Sequence, residues 1–167
     1  VFCGLRTNLQ FLLGKANHNV ILVTSTISGE GKTFVATNLA VSLALLDKRV
    51  VVVGLDIRRP KLLECFGFSH EEIKGKKGIT NYLSDNSIDL HSLLISAKNN
   101  SNLYILPAGT IPPNPAELIA RPALDTAIKL LAEEFDYVIL DSAPVGLVSD
   151  ALIASRLADI TLYICRA

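Results

Sequence analysis

The chain has 167 residues, half of them hydrophobic, with Lys+Arg and Asp+Glu balanced at 16 each and a formal net charge of zero. That length suits one domain whose core needs no disulfide or metal staple, and the charge balance excludes the basic face of a general nucleic-acid binder. Cys3, Cys65 and Cys165 lack metal-ligand spacing and read as free, mostly buried thiols of a reducing compartment, while no apolar run approaches the roughly 20 residues of a membrane span and no signal-peptide pattern opens the chain.

Val1 to about Leu13 reads as an opening helix. Asn19–Ser25 (NVILVTS) is a short buried strand, followed by a turn-rich loop over Thr26–Lys32 that holds Gly29 and Gly31. Thr33–Leu46 is helical in pattern, with Leu39, Leu43 and Leu46 on one stripe. Arg49–Leu55 (RVVVVGL) is a second continuous strand, and Pro60–Phe66 a short helix opened by proline. The polar stretch from Gly67 to Asn102 holds two candidate helices, Ile79–Leu83 and Asp89–Ser96. Leu103–Leu106 is a third strand and Pro107–Pro115 a proline-rich loop. A long amphipathic helix over about Ala116–Phe135 leads into the strand Tyr137–Asp141, a helix at Asp150–Leu157 and a strand at Ile160–Cys165.

Strands alternating with helices imply βαβ units. Continuous Val/Ile/Leu runs imply strands covered on both faces. The expected fold is therefore α/β: a three-layer, doubly wound, mostly parallel sheet of the P-loop type. We expect one domain over residues 1–167, cut from something longer, with its helix at 1–14 and a nucleotide-binding core at 19–167.

The stretch Ser25-Thr26-Ile27-Ser28-Gly29-Glu30-Gly31-Lys32-Thr33 follows a strand and opens a helix. That is the context a phosphate-binding loop requires, because successive backbone N–H groups and a helix N-terminus cradle phosphate oxygens. Lys32 can reach the β- and γ-phosphates as a point charge, and the Thr33 hydroxyl can hold Mg²⁺. Ser28, Gly29, Glu30, Gly31, Lys32, Thr33 and Phe34 form the expected nucleotide-binding run. The eight-residue Walker pattern begins with glycine, and here that place holds Thr26.

Two carboxylates end buried strands. Asp141 closes YVILD in a Walker B arrangement and can orient Mg²⁺. Asp56 closes the second strand, whose carboxyl end faces the same crevice in a doubly wound sheet. It can bind metal or take a proton from an acceptor. Thr33, Asp56 and Asp141 are the candidate metal residues, and Lys32, Asp56 and Asp141 the candidate catalytic ones. Arg58 and Arg59 fit either phosphate binding or a neighbouring subunit.

In order along the chain, LRTNLQF, VTSTISGEGKT, VGLDIRRP, LPAGTIPPNPAELI and FDYVILDSAPV together resemble the bacterial tyrosine kinases of capsule and exopolysaccharide export. That family is related to the septum-placement and partition ATPases. The resemblance implies ATP and Mg²⁺ as cofactors, with Lys32 and Thr33 serving both, Asp141 the metal, and Asp56 the metal or acceptor activation. It implies an autophosphorylating protein-tyrosine kinase that acts in trans on a C-terminal tyrosine tail, between subunits of a homo-oligomer. It also implies activation by a transmembrane module at the cytoplasmic face of the bacterial inner membrane, with this stretch itself soluble. No nucleic-acid partner is expected.

Three departures from the family stand out. Gly54 occupies a place where many members carry aspartate. Of the family's oligomerisation motif, a glutamate and two arginines three residues apart, Arg6 is present while Cys3 stands at the preceding arginine position. The tyrosine tail is not in the sequence; Tyr82, Tyr104, Tyr137 and Tyr163 are scattered, and Tyr137 and Tyr163 read as packing in core strands. Two other readings compete. An ATP-driven positioning switch would carry a second lysine five residues before Lys32, where this chain has Ile27. A catalytically silent nucleotide-binding partner of an export complex is the other.

Overall fold

The computed structural model describes residues 2–13, 19–27, 31–145 and 154–165. These form α1 (Phe2–Leu13), β1 (Val20–Ser25), α2 (Lys32–Ala44), β2 (Val50–Leu55), α3 (Leu62–Cys65), α4 (His70–Ile73), α5 (Ile79–Ser84), a 3-10 turn (Leu90–Leu93), β3 (Ile95–Ala97), β4 (Asn100–Leu106), α6 (Pro115–Ile119), α7 (Pro122–Glu134), β5 (Tyr137–Ser142) and β6 (Ile160–Ile164). The sheet runs in the order β3-β4-β2-β5-β1-β6. All neighbours are parallel except β3, which pairs antiparallel with β4.

Alternate residues of the same strand feed two cores. Val20 and Leu22 of β1, Val51, Val53 and Leu55 of β2, and Val138 and Leu140 of β5 pack beneath α5, α6 and α7. Ile21 and Val23, Val50 and Val52, and Ile139 face the other way and meet α1, α2 and α3. A strand sandwiched between helix layers has no solvated face, so apolar residues fill both pleats. The expected three-layer fold is therefore present.

The helices follow local chemistry. Gly31 caps α2 at φ 84°, in the left-handed region open to glycine. On α7, Leu124, Ala127, Ile128 and Leu131 form one buried stripe at helical spacing. The single long helix expected over 116–135 is in fact two. Pro122 starts α7, and Arg121 before it is extended at φ −67° and ψ 143°, as the ring of a following proline demands. The Arg121 guanidinium then donates to the Leu83 carbonyl at 2.9 Å.

The helix expected at Asp89–Ser96 is also corrected. Asp89 accepts from the His91 N–H and caps a 3-10 turn, after which Ile95–Ala97 leaves as the antiparallel edge strand β3. The short helix α4 carried an unread signature: Ser69 and Glu72 make a reciprocal capping box. The first half of the expected helix at Asp150–Leu157 lies outside the described residues; Ala154 is buried in the first core.

The loop after β4 docks on α5. Ile79 and Thr80 donate their N–H groups to the carbonyls of Pro107 and Ala108 at 2.9 and 3.0 Å, so unpaired donors of a helix start are met by loop backbone. Gly78 and Gly109 permit this approach. A Cβ on Gly78 would lie 2.0 Å from the Pro107 carbonyl oxygen.

Candidate active site

The register sets the site. Asp141 lies level with Val23 of β1 on one side and Gly54 of β2 on the other. The Asp56 N–H donates to the Asp141 carbonyl at 2.9 Å, so both carboxylates leave the sheet at its carboxyl end. That end receives the start of α2 from β1, where ligands bind in open α/β sheets.

Lys32 is the first residue of α2 and turns inward. Its Nζ lies 2.9 Å from Asp56 Oδ2, 3.4 Å from Asp141 Oδ1 and 3.5 Å from Thr33 Oγ1. The Thr33 hydroxyl also approaches both Asp141 oxygens, at 3.0 and 3.3 Å. Lys32 is 8% exposed, so its ammonium is held inside the site rather than open to solvent. Burial opposes the charged amine, but the carboxylates of Asp141 and Asp56 outweigh it and hold its pKa above the usual lysine value. The ammonium therefore stays charged.

The two carboxylates differ in depth. Asp141 is 2% exposed, and burial pushes its pKa up to about 6 against the pull of Lys32 and the Thr33 hydroxyl. The Asp56 side chain retains 13% exposure and also accepts from the Arg59 N–H at 3.3 Å. A cavity of about 240 Å³ opens over this group, lined by Gly31, Lys32, Thr33, Phe34, Asp56, Arg59 and Lys61. A larger cavity of about 670 Å³ runs along the outer face of α2 past Phe34, Val41 and Leu45. It touches neither carboxylate, and we assign the chemistry to the smaller one.

The donor set fits a nucleotide with its cation. Two carboxylates and a hydroxyl already converge on one positive charge. Hard oxygen donors in small number suit magnesium, which uses one or two carboxylates together with substrate phosphates. Among the described residues no group of three His, Cys, Asp or Glu side chains could hold a metal alone.

The expected site residues Gly31, Lys32, Thr33, Asp56 and Asp141 are thus brought together. Ser28, Gly29 and Glu30 lie outside the described residues. Phe34 lies on the rim, 61% exposed, with its ring edge-on to Phe2 of α1 at 5.9 Å. Lys61 is an addition, signalled in sequence only as a third basic residue after Arg58 and Arg59.

Other expectations change. All three cysteines are free but exposed. Burial, followed by the nearby Asp141 charge, pushes the Cys65 thiol pKa up. Tyr163 is 49% exposed rather than packed, and its hydroxyl pairs with that of Thr26 at 2.9 Å, which ties β6 to the start of the loop. On α1, the Arg6 guanidinium reaches α2 and donates to the carbonyl of Ser42 at 3.2 Å; Leu9 is buried and Leu12 exposed.

Comparisons with known proteins agree with this geometry. The AAA domain family matches residues 18–162. The tyrosine-protein kinase CpsD of Streptococcus agalactiae is 35% identical over 166 residues, which are 99% of this chain and 68% of that protein. The tyrosine-protein kinase wzc of Salmonella typhi is 31% identical, with 98% of this chain matching 22% of that protein. The kinase domain of Escherichia coli tyrosine kinase ETK superposes with a TM-score of 0.90 at 28% identity, over 99% of this chain and 62% of that one. The septum site-determining protein MinD of Pyrococcus horikoshii, solved with Mg-ADP, follows at 0.71 and 26% identity, over 89% of this chain and 58% of its own. This chain therefore spans about two thirds of its streptococcal relative and a fifth of the Salmonella one. Family profile, sequence and fold agree: the chain belongs to the bacterial tyrosine-protein kinases and corresponds to their P-loop kinase domain.

Proposed function

We propose that this domain transfers the γ-phosphoryl group of Mg-ATP to tyrosine hydroxyls, first on its own protein in trans, and so regulates capsular or exopolysaccharide synthesis and export. The observation that carries the reading is the convergence of Lys32, Thr33, Asp56 and Asp141 at the carboxyl ends of β2 and β5. Gly31 and the first N–H groups of α2 receive phosphate oxygens. Lys32 places its charge on the β- and γ-phosphates. Thr33 and Asp141 would hold the cation, which would supply neutralisation of the phosphate charge. Asp56, at the mouth, takes the phenolic proton as the tyrosine oxygen bonds to phosphorus and ADP departs. Losing such general-base help costs about 10²–10⁴-fold in rate.

The family resemblance further supports a homo-oligomer, a transmembrane activator module and action at the cytoplasmic face of the inner membrane. Among the described residues no helix is long and apolar enough to cross a membrane. Ile27, where a positioning ATPase would carry its second lysine, weighs against the switch reading.

The test is to express the chain with its native C-terminal extension, supply Mg-ATP and map phosphotyrosine by mass spectrometry. Phosphotyrosine that depends on Lys32 is the expected result. ADP release without phosphotyrosine would favour the positioning switch, and no turnover would favour the silent partner.

A further inference from the structure

The rim of the active-site cavity carries cations that the nucleotide does not account for. Arg59 and Lys61 line the cavity over Asp56. A second, smaller cavity of about 80 Å³ takes Pro60, between Arg59 and Lys61 in the chain, into its wall together with Glu64 and Lys76. Arg59, Lys61 and Lys76 are all exposed. Among the described residues none of the three has a carboxylate within ion-pair distance, although Lys98 is paired with Glu72 and Arg156 with Asp125. Asp56, the acid nearest to Arg59 in sequence, is already engaged by Lys32 and by the Arg59 N–H. Glu64 is the one acid lining the second cavity, so the mouth carries a net positive charge.

We infer that this rim selects the acceptor: the tyrosine enters over Asp56 within an acidic peptide, its flanking carboxylates meeting Arg59, Lys61 and Lys76. The inference rests on the kinase reading above and specifies its substrate class. Two observations separate it from phosphate binding. Lys32 and the start of α2 already supply the phosphate cradle, and Lys76 lies on the second cavity. The more open carboxylate also marks the side of approach, because Asp141 is sealed while Asp56 is not. Complementary charge on an exposed rim acts on encounter and register more than on the chemical step. Its signature is therefore KM, with a dependence on salt.

The experiment uses the whole kinase with Mg-ATP and three peptides whose single tyrosine is flanked by glutamates, by serines or by lysines. We expect kcat/KM to favour the acidic peptide over the serine peptide by about tenfold, carried by KM. That preference should shrink at about 0.5 M salt. Lys76→Gln should reduce it with Mg-ATP affinity unchanged by direct titration. The triple variant Arg59→Gln, Lys61→Gln and Lys76→Gln, checked for folding by circular dichroism, should bring it close to one. Equal use of the three peptides by the parent kinase would overturn the inference, as would a preference that survives in the triple variant. A loss of Mg-ATP affinity in Lys76→Gln would assign the rim to the nucleotide instead. If no peptide is phosphorylated, the kinase reading falls and takes this inference with it. Phosphorylation indifferent to flanking charge leaves the kinase reading intact and removes this one.

Discussion

The ends of β2 and β5 read almost alike as sequence, four or five apolar residues and then an aspartate, yet they are different chemical places. Asp141 is still inside its strand, with Ser142 paired behind it against Leu55. Its carboxylate is enclosed between β1 and β2 and gripped by Thr33. Asp56 falls one residue beyond the last residue of β2, where the chain turns toward Arg59 and keeps contact with solvent. One residue of strand thus separates a rigid carboxylate suited to holding a cation from one that an incoming hydroxyl can reach.

Four substitutions probe that contrast. Lys32→Met has the largest expected effect, because it removes the charge shared by both acids. ATP turnover should vanish while circular dichroism shows a folded chain, and parent-like nucleotide affinity in the variant would sink the phosphate-loop assignment. Next is Asp56→Asn, which should lower phosphotransfer by about 10²–10⁴-fold and leave Mg-ATP affinity within about threefold. Should it lose binding as completely as the Asp141 variant, both carboxylates are metal ligands and the division between them is wrong.

Asp141→Asn should weaken metal-dependent nucleotide binding by about tenfold or more, the scale of a hydrogen bond to a charged group. The same binding should depend on pH in a stated direction. The buried Asp141 carboxyl has its pKa pushed up to about 6, so it is protonated below that value and ionised above. Metal-dependent affinity in the parent chain should therefore rise as pH increases through about 6 and level off beyond it. The asparagine variant should show no such rise, as calorimetric titration across pH 5–8 would reveal.

Gly54→Ala should be the mildest. A Cβ there would sit 3.1 Å from the Ala108 backbone nitrogen and 3.4 Å from Leu62 Cδ2. Mild overpacking costs about 1 kcal/mol, seen as a small drop in denaturant midpoint with turnover close to the parent. A large loss of turnover would instead mean that the level of Gly54 and Asp141 tolerates no shift.

Much of this was legible in the sequence because it is local. The loop ending in Lys32 and Thr33, the strand-end acids and the continuous Val/Ile/Leu runs each carry their meaning within ten residues. Pro122 also announced a helix break, but the apolar spacing runs smoothly across it and masks the boundary. Strand β3 is three residues long and is defined by its partner β4 rather than by any pattern of its own. The burial of Lys32 was not legible at all. A lysine at a helix start reads as solvated until the sheet order brings two carboxylates to the same point. Likewise Tyr163 looks like strand packing until β6 is known to lie at the sheet edge beside the start of the loop.

The ion pairs around Lys32 also bear on how any affinity for nucleotide should be interpreted. Phosphates need an ammonium that the chain already holds 2.9 Å from Asp56, so the population competent to receive them is the fraction in which that grip has opened. Apparent affinity is the intrinsic affinity multiplied by this fraction; were one chain in about a hundred open, contacts of nanomolar quality would register as about a hundredfold weaker. Adenosine, which has no phosphate to draw Lys32 away, would not incur this reduction. The gain in affinity from adenosine to ADP therefore understates the strength of the phosphate contacts themselves.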